Sequence, residues 1–180
     1  IFSGLRGALA MGTIGACAGF GAICGSSLAT AATLTKVAVP EMRRYGYDLR
    51  LATGTVASGG TLGILIPPSI ILIIYGIFAE RSVPELYAAA LVPGIVLTIL
   101  HIVAIAAIAW LQPHRMPKTP GLPLAARFAA IGGLWKMVLL FSIAVIGIYA
   151  GVMSPTEAAA VSAFAAIVVP AFASEYLFRA

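Results

Sequence analysis

The chain has 180 residues, 61% of them hydrophobic and only 9% charged, with a mean hydropathy of +1.06. Soluble globular domains carry about 25% charged residues, so this composition excludes them and points to an integral membrane protein in a lipid bilayer. The net charge is +5 and the pI near 9.6, yet the basic residues are scattered between apolar segments and form no single stripe, which argues against a nucleic-acid partner.

In chain order, the apolar segments run over residues 7–40, 51–79, 86–111, 137–153 and 158–173. The second and third are long enough to cross a hydrocarbon core of about 30 Å, which takes roughly 20 helical residues. The last two are shorter candidates. The first is anomalous, because a straight helix over its length would reach about 51 Å at 1.5 Å per residue, whereas two full crossings need roughly 40 residues. A re-entrant hairpin that enters and leaves on one side fits that length better. Cys17 and Cys24 lie on one helical face of this segment, with no second pair or nearby histidines to complete a metal set, and are read as packing residues. No basic leader, apolar core and cleavage site run in series, so no signal peptide is expected, and a start at Ile1 is read as that of a fragment.

Charge placement supports the hairpin independently. Arg6 precedes the first segment, and Lys36, Arg43, Arg44 and Arg50 stand at its far end, so both ends read as cytoplasmic. The loop AERSVPEL, with Glu80 and Glu85 against Arg81, then faces out, and PHRMPKTP, with Arg115 and Lys118, returns inside. The final pair goes out to GVMSPTE and back to Arg179. With Arg127 and Lys136 counted inside, ten of the 11 basic residues face the cytoplasm and only Arg81 faces out.

A hairpin tip in a membrane leaves backbone groups that lipid cannot satisfy, so it survives only against protein or a water-filled cavity. In GAICGSSLATAATL, residues 21–34, Gly25 allows the turn, Ser26 and Ser27 offer caps for the second half-helix, and the small residues after them allow close packing. The second segment has a matching interruption. Gly59, Gly60 and Gly63 loosen it, and Pro67 and Pro68 remove two donors, so a break over 61–69 is expected. Half-helix N-termini attract anions, and C-termini with unwound carbonyls attract cations, so paired breaks point to a transporter site near the bilayer midplane. A small-residue packing face at the tip and a simple proline kink at the break remain the alternatives from these residues alone.

The run GSSLATAATLTKVAVPEMRRYGYDLRLATGTVASGGTLGILIPPSIILIIYG resembles the large membrane subunit of TRAP transporters, the tripartite ATP-independent periplasmic family, and GIYAGVMSPTEAAAVSAF is similar to that family's middle region. The resemblance covers most of the chain. It implies an all-α, elevator-type ion-transporter fold built from two inverted repeats, each with a re-entrant hairpin and a broken transmembrane helix. The implied function is sodium-coupled uptake of an organic acid across the bacterial inner membrane. The implied partners are a small four-helix membrane subunit and a periplasmic substrate-binding protein. Carried over by position, Gly25, Ser26, Ser27, Gly59, Gly60, Thr61 and Gly63 would hold the sodium ion, largely through backbone carbonyls, and Ser26, Ser27, Pro67, Pro68 and Ser69 would border the substrate. No cofactor beyond the coupling ion is implied. A complete subunit of that family is more than twice as long, and no second hairpin tip follows residue 158, so this chain is expected to be a central fragment. Its expected parts are 1–79 with the hairpin and broken helix, a transmembrane helix over 80–112, a cytoplasmic connecting arm over 113–136, and a helical pair over 137–180 that begins the second repeat.

The remaining candidates read as structural. SPTE makes a capping box from Ser154, Pro155 and Glu157, and SVPE offers the same pattern from Ser82 to Glu85. Asp48 reads as the cap of the second segment. His101 is an ionisable residue inside a membrane segment, with neutral imidazole bonded to a neighbouring helix as the favoured reading. The linker helix LAARFAAIGGLWK would lie in the interface, anchored by Trp135 with Arg127 and Lys136 in the headgroups. Neither a Ser-His-Asp set, a metal cluster nor a P-loop is present, so the chain is not expected to be an enzyme or an ATP-driven pump. A structural or channel-like subunit without a coupled ion is the competing class, and a sodium/carboxylate carrier that needs no binding protein is a third.

Overall fold

The computed structural model describes residues 5–118, 135–154, 156–158, 160–165 and 168. The chain separates into two compact units, Ile1–Arg127 and Phe128–Ala180. The described residues of the first form six helices: α1 (Ala8–Cys24), α2 (Ser27–Arg44), α3 (Leu49–Gly60), α4 (Leu62–Leu65), α5 (Ile70–Phe78) and α6 (Val83–Leu111). The second contains α7 (Trp135–Tyr149) and helical turns over 156–158 and 160–165.

Helices α1 and α2 form a hairpin. Gly25, at φ +60, closes α1 in the left-handed region that lets a chain reverse without a Cβ penalty, and its N–H donates to Gly21 O at 2.7 Å. Ser26 then caps α2, its Oγ accepting from Ala29 N at 3.3 Å. Ser27 is the first helical residue, so only one of the two expected serine caps forms. At the other end, Leu9 N donates to the Tyr47 hydroxyl at 3.3 Å, which sets the start of α1 beside the end of α2. The hairpin also outlasts its apolar segment, because α2 continues through Pro40 to Arg44. Met42, with no exposed surface, anchors that last turn and offsets the hydrogen bond that Pro40 removes.

Asp48 caps α3, its Oδ1 accepting from Arg50 N at 2.9 Å and Leu51 N at 3.2 Å. The helical path then breaks twice, at Thr61 and over 66–69, and Leu49–Leu65 meets Ile70–Phe78 at a 42° bend. The adjacent Pro67 and Pro68 account for this bend, since neither can donate to the preceding turn. Helix α6 has 29 residues and is about 44 Å long. Among the described residues it alone is long and apolar enough to cross a membrane by itself, and the bent α3–α5 path passes the same test as a pair. Its middle and end present exposed apolar side chains, Trp110 among them at 82%. That face suits lipid.

Helix α1 lies innermost, packing on α2, α3, α4 and α6. Gly94 of α6 meets the second break, where a Cβ would come within 2.9 Å of Ile66 Cγ1. From Gly94, α6 continues about 26 Å to Leu111 beside the hairpin base, and about 16 Å the other way to Val83. The hairpin tip therefore stops partway along α6.

Two local expectations fail in α6. Ser82 precedes it without a side-chain capping bond, so the Ser82–Glu85 box does not form. His101 Nδ1 lies 2.8 Å from Leu97 O of its own helix, not a neighbour's, because the carbonyl four residues back is already within reach. In the second unit the expected box does form. Ser154 N and Oγ both donate to Glu157 Oε2, at 2.7 and 2.8 Å, and Glu157 N returns to Ser154 Oγ at 3.3 Å. The bond from the Ser154 N–H, then that from its hydroxyl, holds the exposed Glu157 carboxyl below the ordinary range. Of the expected interfacial helix over 124–136 only Trp135 and Lys136 are described, as the first residues of α7; the rest of it, Pro155 and half of segment 158–173 lie outside the described residues.

Candidate functional site

Both chain breaks meet at one place. A Cβ on Gly25 would lie 2.9 Å from Pro68 O and 3.3 Å from Ile70 N, so the hairpin tip rests directly on the second break. Gly25, Pro67 and Ser69 are buried there, and Ser26, Ser27 and Pro68 are half-buried. Gly63 faces the tip from α4, with room neither for a Cβ against Ser26 O at 3.0 Å nor against Thr30 Oγ1 at 2.9 Å. Gly60 lies one turn earlier against Ala31 and Ser27 O.

Two expected residues stand apart from this junction. Gly59 packs on Ile14 and Cys17, one to two turns down α1 from Gly21 and so away from the tip. Thr61 is exposed, and its hydroxyl donates to Ser58 O at 2.6 Å. Ser69 is at the junction, but its hydroxyl is turned inward. It donates to Ile64 O at 2.7 Å, while Ser69 O accepts from the Tyr87 hydroxyl at 3.4 Å. The Pro67–Pro68 bond is cis.

The tip has an interior scaffold that sequence reasoning did not assign. Thr30 is fully buried, and its hydroxyl donates to Ser26 O at 2.8 Å. The same carbonyl accepts from Thr30 N at 3.1 Å and from Cys24 Sγ at 3.6 Å, and Cys24 Sγ lies 3.3 Å from Thr30 Oγ1. A Thr four residues after a capping Ser is the signal that could have found it, since a helical hydroxyl bonds back to that carbonyl.

Electrostatically the junction joins four helix ends. The C-termini of α1 and α4 bring partial negative charge, and the N-termini of α2 and α5 bring partial positive charge. Around it lie backbone carbonyls and the hydroxyls of Ser26, Ser27 and Thr30, oxygen donors suited to a hard cation. Among the described residues no group of three His, Cys, Asp or Glu side chains could hold a metal ion.

A family model described as "Tripartite ATP-independent periplasmic transporter, DctM component" matches residues 1–178. Among similar curated proteins, the C4-dicarboxylate TRAP transporter large permease protein DctM of Pseudomonas aeruginosa is 40% identical over 97% of this chain and 40% of its own length. The ectoine TRAP transporter large permease protein TeaC of Halomonas elongata is 35% identical over 87% of the chain and 36% of its own length. The sialic acid TRAP transporter permease protein SiaT of Haemophilus influenzae is 33% identical, over 88% and 26% respectively. The chain thus spans less than half the length of these relatives.

Proposed function

We propose a role that proceeds from one shown premise: the chain belongs to the family of DctM components of tripartite ATP-independent periplasmic transporters. It is the part of a secondary-transport permease that carries one re-entrant hairpin and the broken helix facing it, within a multi-pass protein of the bacterial inner membrane. The observation that carries this reading is the contact of Gly25 with the Pro68 carbonyl, which joins the two breaks into one junction. Two helix C-termini and a set of backbone carbonyls there suit a sodium ion, and two helix N-termini suit the carboxylate of an organic acid. Sodium binding orders the Ser26 and Ser27 tip against the backbone at Gly60 and Gly63, and the carboxylate then finds the N–H groups of α2 and α5. Substrate would arrive from a periplasmic binding protein, with a small membrane subunit bracing the permease. The three relatives are named for three different substrates, which fits a half-site that supplies the common charge recognition and leaves selectivity to other parts.

The competing reading is a packing junction without a coupled ion, favoured by the tight fit of Gly60 on Ala31. The test is thermal stability of the full-length permease with its small partner, titrated with sodium against potassium at constant ionic strength, for wild type and Ser27→Ala. A ligand that binds only the folded state stabilises it by about 2.7 kcal/mol at 100 times its dissociation constant. Sodium-selective stabilisation that is lost in Ser27→Ala is the expected result, because Ser27 makes no capping bond and Ala is equally small. Identical curves in the two salts would remove the sodium carrier reading.

A further inference from the structure

The junction between the hairpin base and the end of α6 is more ordered than a loop needs to be. Arg6 pairs with Lys118 through an isolated antiparallel bridge, Asp48 N donates to Arg115 O at 3.1 Å, and Met116 is 1% exposed beneath the Gly7 backbone. These contacts fix the non-helical stretch after α6 in one course. Its outer side, with Arg6, borders an open surface cavity of about 540 Å³ lined by Arg6, Pro113, His114, Pro117 and Lys118. The lining holds two fixed cations and an imidazole, and no carboxylate. Neither Arg6 nor Lys118 forms an ion pair with any described residue. Cations without a carboxylate partner, set around one concavity, select an anion, and the guanidinium and ammonium donors fit phosphate oxygens.

Its position selects the source of that phosphate. The cavity adjoins the end of α6, where Trp110 and Leu111 are 82% and 68% exposed, as an interfacial aromatic girdle requires. Pro113 and Pro117 add an apolar wall beside the charges, which a free ion would not use and the glycerol end of a lipid would. We infer that this cavity holds the phosphate of an anionic phospholipid headgroup from the leaflet at the hairpin base. The lipid seats against the seam where the start of the hairpin meets the stretch after α6. The inference rests on α6 lying in a bilayer and is independent of sodium coupling.

The test is native mass spectrometry of the full-length permease with its partner, released from vesicles of phosphatidylcholine and phosphatidylglycerol. Each cation that touches the bound headgroup is worth roughly fivefold in anionic-lipid affinity, so Arg6→Gln with Lys118→Gln should weaken phosphatidylglycerol retention about 25-fold. Both side chains are exposed, so the double variant keeps its core. Arg44→Gln, at the same positive end but outside the cavity, should change retention by less than about twofold. Equal effects from all these substitutions, or none, would overturn the assignment. So would displacement of the retained lipid by inorganic phosphate, which would give the cavity to a soluble ion.

Discussion

Tyr87 shows how single side chains hold the break from outside. It is 1% exposed, and its hydroxyl reaches Ser69 O while Ser69 Oγ turns back to Ile64 O, so the 64–69 stretch is tied both to its own helix and to α6. Tyr87→Phe keeps the ring packing and removes one donor. Ser69 O retains Ile73 N as a partner, so the expected loss is about 1 kcal/mol in denaturant unfolding, with sodium selectivity unchanged. A variant as stable as wild type would show that the tie contributes nothing. What was legible at this scale follows from chemical reach. Asp48 and the Ser154–Glu157 box find their partners within three residues, so the sequence contains the whole interaction. Tyr87 and Ser69 are 18 positions apart, and only the tertiary path of α6 brings them together. Ser82 and Glu85 have the right spacing, but the first turn of α6 closes without the serine side chain.

Between elements, contact is set by missing side chains. Gly63 and Gly21 bring α4 and α1 together more closely than any Cβ would permit. Gly63→Ala should therefore separate the tip from the break and cost about 1–3 kcal/mol, seen as a lower unfolding temperature and a weakened sodium response. Gly54→Ala in the same bent path is the matched control, since nothing lies within 4 Å of its Cβ position and Ala favours the helix by up to about 1 kcal/mol. If both substitutions behave alike, the close approach is not what positions the site. Glycine and proline mark where a helix can break, and so the positions of Gly25 and of the 61–69 interruption were readable. The continuation of α2 past Pro40 was not, because it depends on Met42 finding a buried seat in a neighbour that the local sequence does not contain.

For the molecule as a whole, the starts of α1 and α3 and the ends of α2 and α6 gather at one end. Leu9 joins Tyr47 and Asp48 joins Arg115 there, and the Arg81 loop lies at the other end of α6. Single cysteines in a background lacking Cys17 and Cys24 can report this arrangement in oriented vesicles. Arg6→Cys, Arg44→Cys and Arg115→Cys should all react with a membrane-impermeant maleimide from one side, and Arg81→Cys from the opposite side; all four positions are exposed. Labelling of positions 6 and 44 from opposite sides would make the segment a single crossing and overturn the hairpin. The level at which the tip stops on α6 also has an electrical meaning. Gly94 divides that helix into about 16 Å toward Val83 and about 26 Å toward Leu111. With a potential falling evenly along the helix, a monovalent cation arriving at the tip from the Val83 end traverses about 0.4 of the drop. That is worth about 0.9 kcal/mol per 100 mV, against about 2.3 for the full crossing. On the proposed carrier reading, voltage would act more on the onward step than on loading, and the larger share of electrical work would fall to whatever motion carries the occupied tip to the other face.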